Sequence, residues 1–150
     1  MLAKLLVAGA ILWPVLMAVT VIERVNGREP LWTTTVYVAG SKICHQRPER
    51  SFRTEGVQWP VCARCSGLYA SAPMGAVMAL MLRRRWQQRL ALPIVALAAV
   101  PTLLTLGIEW SGLADPGNLV RSAAALPLGM AIALVLVETA AEPAKSDRVH

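Results

Sequence analysis

Four uncharged runs constrain this chain more than any other feature: residues 5–22, 65–82, 90–108 and 122–137, of 18, 18, 19 and 16 residues. A bilayer core is crossed by about 20 apolar residues in helical form. The balance around the runs agrees, with 55% apolar and 16% charged residues, where soluble domains carry about a quarter charged. The expected fold class is therefore an all-α integral membrane protein with four transmembrane helices. It forms a single domain over residues 1–137, with 138–150 as a polar tail. The fourth run reaches full length if residues 118–121 form its first, interfacial turn while Arg121 snorkels to the headgroups. Residues 5–22 also have the outline of a secretory signal behind Lys4. The length of the stretch, and the lack of an A-x-A-like site before Glu23, favour a retained helix.

A fifth apolar stretch, "LWTTTVYVAGS" at 31–41, has 11 residues, too few to span. It reads as a short re-entrant or interfacial segment leading into a cysteine motif. The connection "RRRWQQR" at 83–89 packs four arginines into seven residues, which marks it as cytoplasmic. An even number of spans then places both termini on the cytoplasmic side of a plasma (bacterial inner) membrane. The opposite side would hold Arg24, Arg28, Lys42, Arg47, Arg50, Arg53, Arg64 and Arg121. Arginines kept on the disfavoured side point to local work there. The net charge of +6 does not imply nucleic acid, because the basic residues are separated by long uncharged runs and form no basic face. The lipid bilayer is the expected partner.

Small residues recur every four positions in two of the runs: Gly67, Ser71, Gly75 and Ala79, then Ala125, Gly129 and Ala133. Such stripes stack on one helix face and let backbones approach closely, within a bundle or in a helix-packed oligomer.

All three cysteines and one of the two histidines fall in "KICHQRPERSF" (42–52) and "CARC" (62–65). On a helix beginning near Val61, the residues Cys62, Cys65, Ser66 and Tyr69 share a face, and Arg64 points the other way, toward the small-residue stripe. An arginine at that depth needs a partner. Glu109, at the end of the third run, is the nearest acid in topology, with Asn118 and Arg121 beside it.

Three chemistries fit. Cys44, His45, Cys62 and Cys65 have the ligand count of a tetrahedral zinc site, although adjacent Cys44 and His45 seldom both reach one ion. Alternatively Cys62 and Cys65 cycle between dithiol and disulfide with Cys44 as the exchanging thiol, an arrangement similar in layout to quinone-linked membrane oxidoreductases. Third, Arg47, Arg50, Arg53, Arg64 and Arg121 clamp an anionic lipid or phosphate. A plain structural disulfide from Cys44 to Cys62 or Cys65 also remains open. No Ser-His-Asp, paired-carboxylate or nucleotide-binding pattern is present, which leans away from conventional hydrolase or kinase chemistry.

"CHQRPERSF" followed by "PVCARCSGLY" resembles the signature of a family of small multi-pass bacterial membrane proteins carrying a domain of unknown function, with the pattern C-H-x-x-x-x-R-S-F, then P-x-C-x-R-C-x-G. The match covers Cys44, His45, Arg50, Ser51, Phe52, Pro60, Cys62, Arg64, Cys65 and Gly67. The resemblance implies a membrane location and carries no activity.

Overall fold

Long apolar runs satisfy their backbone groups internally by becoming helices, and a helix forms over each of the four uncharged runs. The computed structural model describes residues 1–82 and 90–141. In chain order these form α1 (Leu2–Val25), α2 (Leu31–Ile43), a 3-10 turn at Pro48–Arg50, β1 (Ser51–Thr54), β2 (Val57–Cys62), α3 (Ala63–Leu82), α4 (Ala91–Trp110) and α5 (Gly117–Ala141). The arginine-rich connection at 83–89 and residues 142–150 of the expected tail lie outside the described residues. Residues 138–141 are the last turn of α5.

Among the described residues three helices, not the expected four, are long and apolar enough to cross a membrane: α1, α4 and α5. The remaining run became α3, which Arg64 opens and which Gly, Ser, Tyr and Pro dilute. The reason lies in packing. α3 lies against both α5 and α1, so less of its surface requires apolar side chains. The 31–41 segment, expected to be re-entrant or interfacial, is the thirteen-residue helix α2, with Thr33, Val36 and Gly40 facing inward. Nor is the fold purely helical. β1 and β2 pair antiparallel, with Thr54 opposite Val57 and Ser51 opposite Cys62. The turn between them has left-handed backbone at Glu55 (φ 48°) and Gly56 (φ 82°), the conformation two-residue hairpins favour.

The small-residue stripes meet. A Cβ built on Gly67 would collide with the Ser122 carbonyl, one on Gly75 with the Met130 carbonyl, and one on Gly129 with the Leu68 carbonyl. The steady offset from 67–122 to 75–130 makes α3 and α5 parallel. α1 runs against them. Its start packs in the cluster of Ala3, Ala76, Ala79, Ala133, Leu134 and Val137, and its later part, at Met17, packs in a second cluster with Val36, Cys44, Val61 and Cys62. α4 rests chiefly on α5, where Thr102 Oγ1 donates to the Ala124 carbonyl at 2.9 Å. Its outer face keeps Leu92, Leu97, Leu103 and Leu104 exposed.

Candidate metal centre and its arginine frame

Each cysteine reaches the site from a different element. Cys44 caps α2 in extended conformation, its N–H donating to the Gly40 carbonyl at 2.9 Å. Cys62 ends β2 and immediately precedes α3, and Cys65 lies in the first turn of that helix. The three Sγ atoms lie within 4.8 Å of one another. All three residues are free thiols; Cys44 and Cys62 are buried and Cys65 half-buried. The Cys62 N–H donates to Cys44 Sγ at 3.1 Å. Hydrogen bonding from the Cys65 thiol and backbone N–H, and from the Cys44 thiol, favours the thiolate at Cys62 over that at Cys65, against the opposing effect of burial. Trp13, Leu16 and Tyr69 pack around the group.

His45, next in sequence to Cys44, does not join the three sulfurs. It is exposed, and its Nδ1 accepts the Arg47 N–H at 3.3 Å. The backbone turns away there because Gln46 takes a left-handed φ of 47°. Gln46 Nε2 donates to the carbonyls of Tyr37 (2.8 Å) and Pro60 (2.6 Å), and Gln58 Nε2 donates to the Gln46 carbonyl at 2.7 Å. The Tyr37 hydroxyl donates in turn to the Gln58 carbonyl. This lattice holds the end of α2 against β2, and so holds Cys44 beside Cys62. Sequence reasoning passed over Tyr37, Gln46 and Gln58. The available signal was two uncharged amides in a segment otherwise rich in arginine.

The arginines divide into two groups. Arg47 and Arg53 are exposed. Arg50, Arg64 and Arg121 converge on Glu109. Arg50 meets Oε1 at 2.8 Å, Arg64 meets Oε2 at 2.7 Å and Arg121 meets Oε1 at 3.0 Å. Arg121 also pairs with Asp115 at 2.8 Å and donates to Asn118 Oδ1 at 3.1 Å, while Asn118 Nδ2 donates to the Ser51 carbonyl at 3.1 Å. The expected partnership of Arg64 and Glu109 is present. Arg121 does not snorkel, its side chain being 4% exposed, because two carboxylates offer it better solvation than the headgroup region would. A cleft of about 370 Å³ opens here, and the charges lining it are those of Glu49, Glu109 and Asp115 with Arg50 and Arg121. Arg64 adds a third guanidinium on the other oxygen of Glu109.

Apolar helices long enough to cross a bilayer, with three thiols gathered at one end, define the class: a membrane protein with a cysteine cluster. The chain belongs to the family described as predicted membrane protein DUF2085, whose model matches residues 44–135 and so begins at Cys44. It is 30% identical over 93 residues to an uncharacterised protein of Methanothermobacter thermautotrophicus, a stretch covering 62% of this chain and 83% of that one. A second uncharacterised protein, from Methanocaldococcus jannaschii, is 44% identical over 43 residues, 29% of this chain and 28% of its own. These relatives are archaeal, so the restriction to bacteria does not follow. No solved structure matches the chain.

Proposed function

We propose that this is a multi-pass membrane protein whose cysteines 44, 62 and 65 bind a thiophilic metal ion of the zinc type, at the end of the helices away from the cytoplasm. The observation that carries the reading is the mutual approach of the three sulfurs within 4.8 Å. Thiolates around a tetrahedral zinc, with Zn–S near 2.3 Å, lie about 3.8 Å apart, so small side-chain adjustments close the site. The N–H of Cys62 on Cys44 Sγ would stabilise a thiolate there. Three protein ligands leave the fourth position to water, to a partner or to His45 after a swing of the exposed ring. The packing of Ala3, Ala79 and Val137 at the opposite end supports the orientation, since it sets Lys4 on the same side as the C-terminal end of α3.

Zinc per protein, measured on detergent-purified chain under reducing conditions, tests the reading. Wild type should hold close to one equivalent, and Cys65→Ser should lose it. Thiol–disulfide exchange is the second reading, favoured by the stabilised thiolate at Cys62 beside a second thiol. Metal-free protein with a reducible Cys62–Cys65 bond would sink the metal site and support exchange. Orientation is tested separately: an impermeant maleimide added to intact cells should label Cys65 once metal is stripped, and labelling only after lysis would reverse it.

A further inference from the structure

We propose that Glu109 is the positioning residue of the cysteine site, fixing the spacing of the three sulfurs through two arginines that leave the cysteine segment on either side of Cys62. The inference rests on the metal reading above. Two of the three guanidiniums on Glu109 come from the cysteine segment itself. Arg50 immediately precedes Ser51, and Ser51 stands opposite Cys62 in the hairpin. Arg64 lies between Cys62 and Cys65 in the first turn of α3. The third, Arg121, belongs to α5, and Asn118 of the same helix holds the Ser51 carbonyl. One carboxylate of α4 therefore ties the 3-10 turn before β1, the opening of α3 and α5 together, and the opening of α3 carries Cys65 and follows directly on Cys62.

The direction of the effect follows from charge and burial. The side chains of Arg121, Arg64 and Arg50 are 4%, 15% and 27% exposed. Without the Glu109 charge they face one another at short range in poor solvent, and like charges so placed repel. Arg121 keeps Asp115 and Arg50, the most exposed of the three, already reaches water, whereas no other ion pair holds the more buried Arg64 among the described residues. Arg64 is then the group that moves toward water, and the first turn of α3 moves with it. Cys65 shares that turn. Cys44 does not follow, being anchored by the Cys62 N–H and by the glutamine lattice around Gln46. The triangle of sulfurs opens at Cys65.

The test uses the full-length protein in detergent. Zinc affinity is measured by competition with a chromophoric chelator, and the visible spectrum of the cobalt(II)-loaded protein reports ligand geometry. Glu109→Gln keeps the shape and removes the charge; it should weaken zinc on the order of tenfold and alter the cobalt ligand-field bands. Arg50→Gln, which removes one partner at a half-exposed position, should shift both in the same direction by less, and serves if Glu109→Gln fails to fold. Gly107→Ala, on α4 with open space at its Cβ, should match wild type. A wild type that binds zinc while Glu109→Gln, or Arg50→Gln in its place, keeps wild-type affinity and spectrum overturns the positioning role and leaves the metal site standing. A lower melting temperature with the same zinc-induced increment also overturns it, because that is the signature of a brace alone. A wild type that binds no metal overturns both.

Discussion

Gly129→Ala adds one methyl group to α5 at a place where the structure has no room for it. The new Cβ meets the Leu68 carbonyl, the Leu68 Cα at 2.7 Å and the Ser71 hydroxyl. Two of these three obstacles are on Leu68, one a backbone carbonyl and the other its Cα, so neither can rotate away. The helices must part by roughly an ångström, and a gap of that size forfeits about a quarter to a half of each dispersion contact along the seam. Overpacking of this kind costs about 1–3 kcal/mol, and the immovable obstacle argues for the upper half. Replacing Gly by Ala inside a helix returns about 0.5–1 kcal/mol. The net is a loss of about 2 kcal/mol, or about 4–8 °C in melting temperature for a chain of this size. The assay is thermal unfolding in detergent, with Gly9→Ala and Gly107→Ala as controls because nothing lies within 4 Å of a Cβ at either position. Both controls should match or exceed wild type. A Gly129→Ala protein as stable as Gly107→Ala would refute the close approach of α3 and α5.

Gln46→Ala removes donors to two carbonyls at a position with left-handed backbone; it should lower stability by about 1–3 kcal/mol and weaken zinc, read by unfolding and by chelator competition, whereas Gln46→Gly should recover only the part due to backbone strain. Thr102→Val deletes the hydroxyl that bonds the Ala124 carbonyl and should cost about 0.6 kcal/mol, the usual size of such a bond between membrane helices, measured by the same unfolding assay.

The helices were legible because their signal is length and uniform apolarity, and α1, α4 and α5 carry it throughout. The α3–α5 seam was legible too, since spacing by four puts Gly67, Ser71 and Gly75 on one face whatever the partner. The pairing of Arg64 with Glu109 followed from the cost of leaving a charge alone at depth. What failed were judgements that depend on neighbours. Arg121 looked like an interfacial residue able to reach headgroups, and its burial depends on two carboxylates, one of them 12 positions away. α3 matched the other runs in length, and only its packing against two helices explains why it is less apolar. The glutamine lattice left no periodic trace, because Gln46 and Gln58 act by capping single carbonyls in an irregular turn. His45 stood beside Cys44 in sequence, but the left-handed residue that follows it aims the ring outward.

All three thiols lie within 22 consecutive positions, from Cys44 to Cys65, and the elements that carry them are local ones: a short helix, a hairpin and the first turn of α3. The acid that braces them comes 44 residues later than Cys65, and Arg121 later still. During synthesis the cysteine segment is therefore made before its counter-charge exists. Contacts of low sequence separation form first, so the thiols can gather before Glu109 is available to Arg50 and Arg64. The emergence of α4 and α5 then locks an arrangement already assembled, and a metal bound at that early stage would act as a template for the packing of the helices that follow.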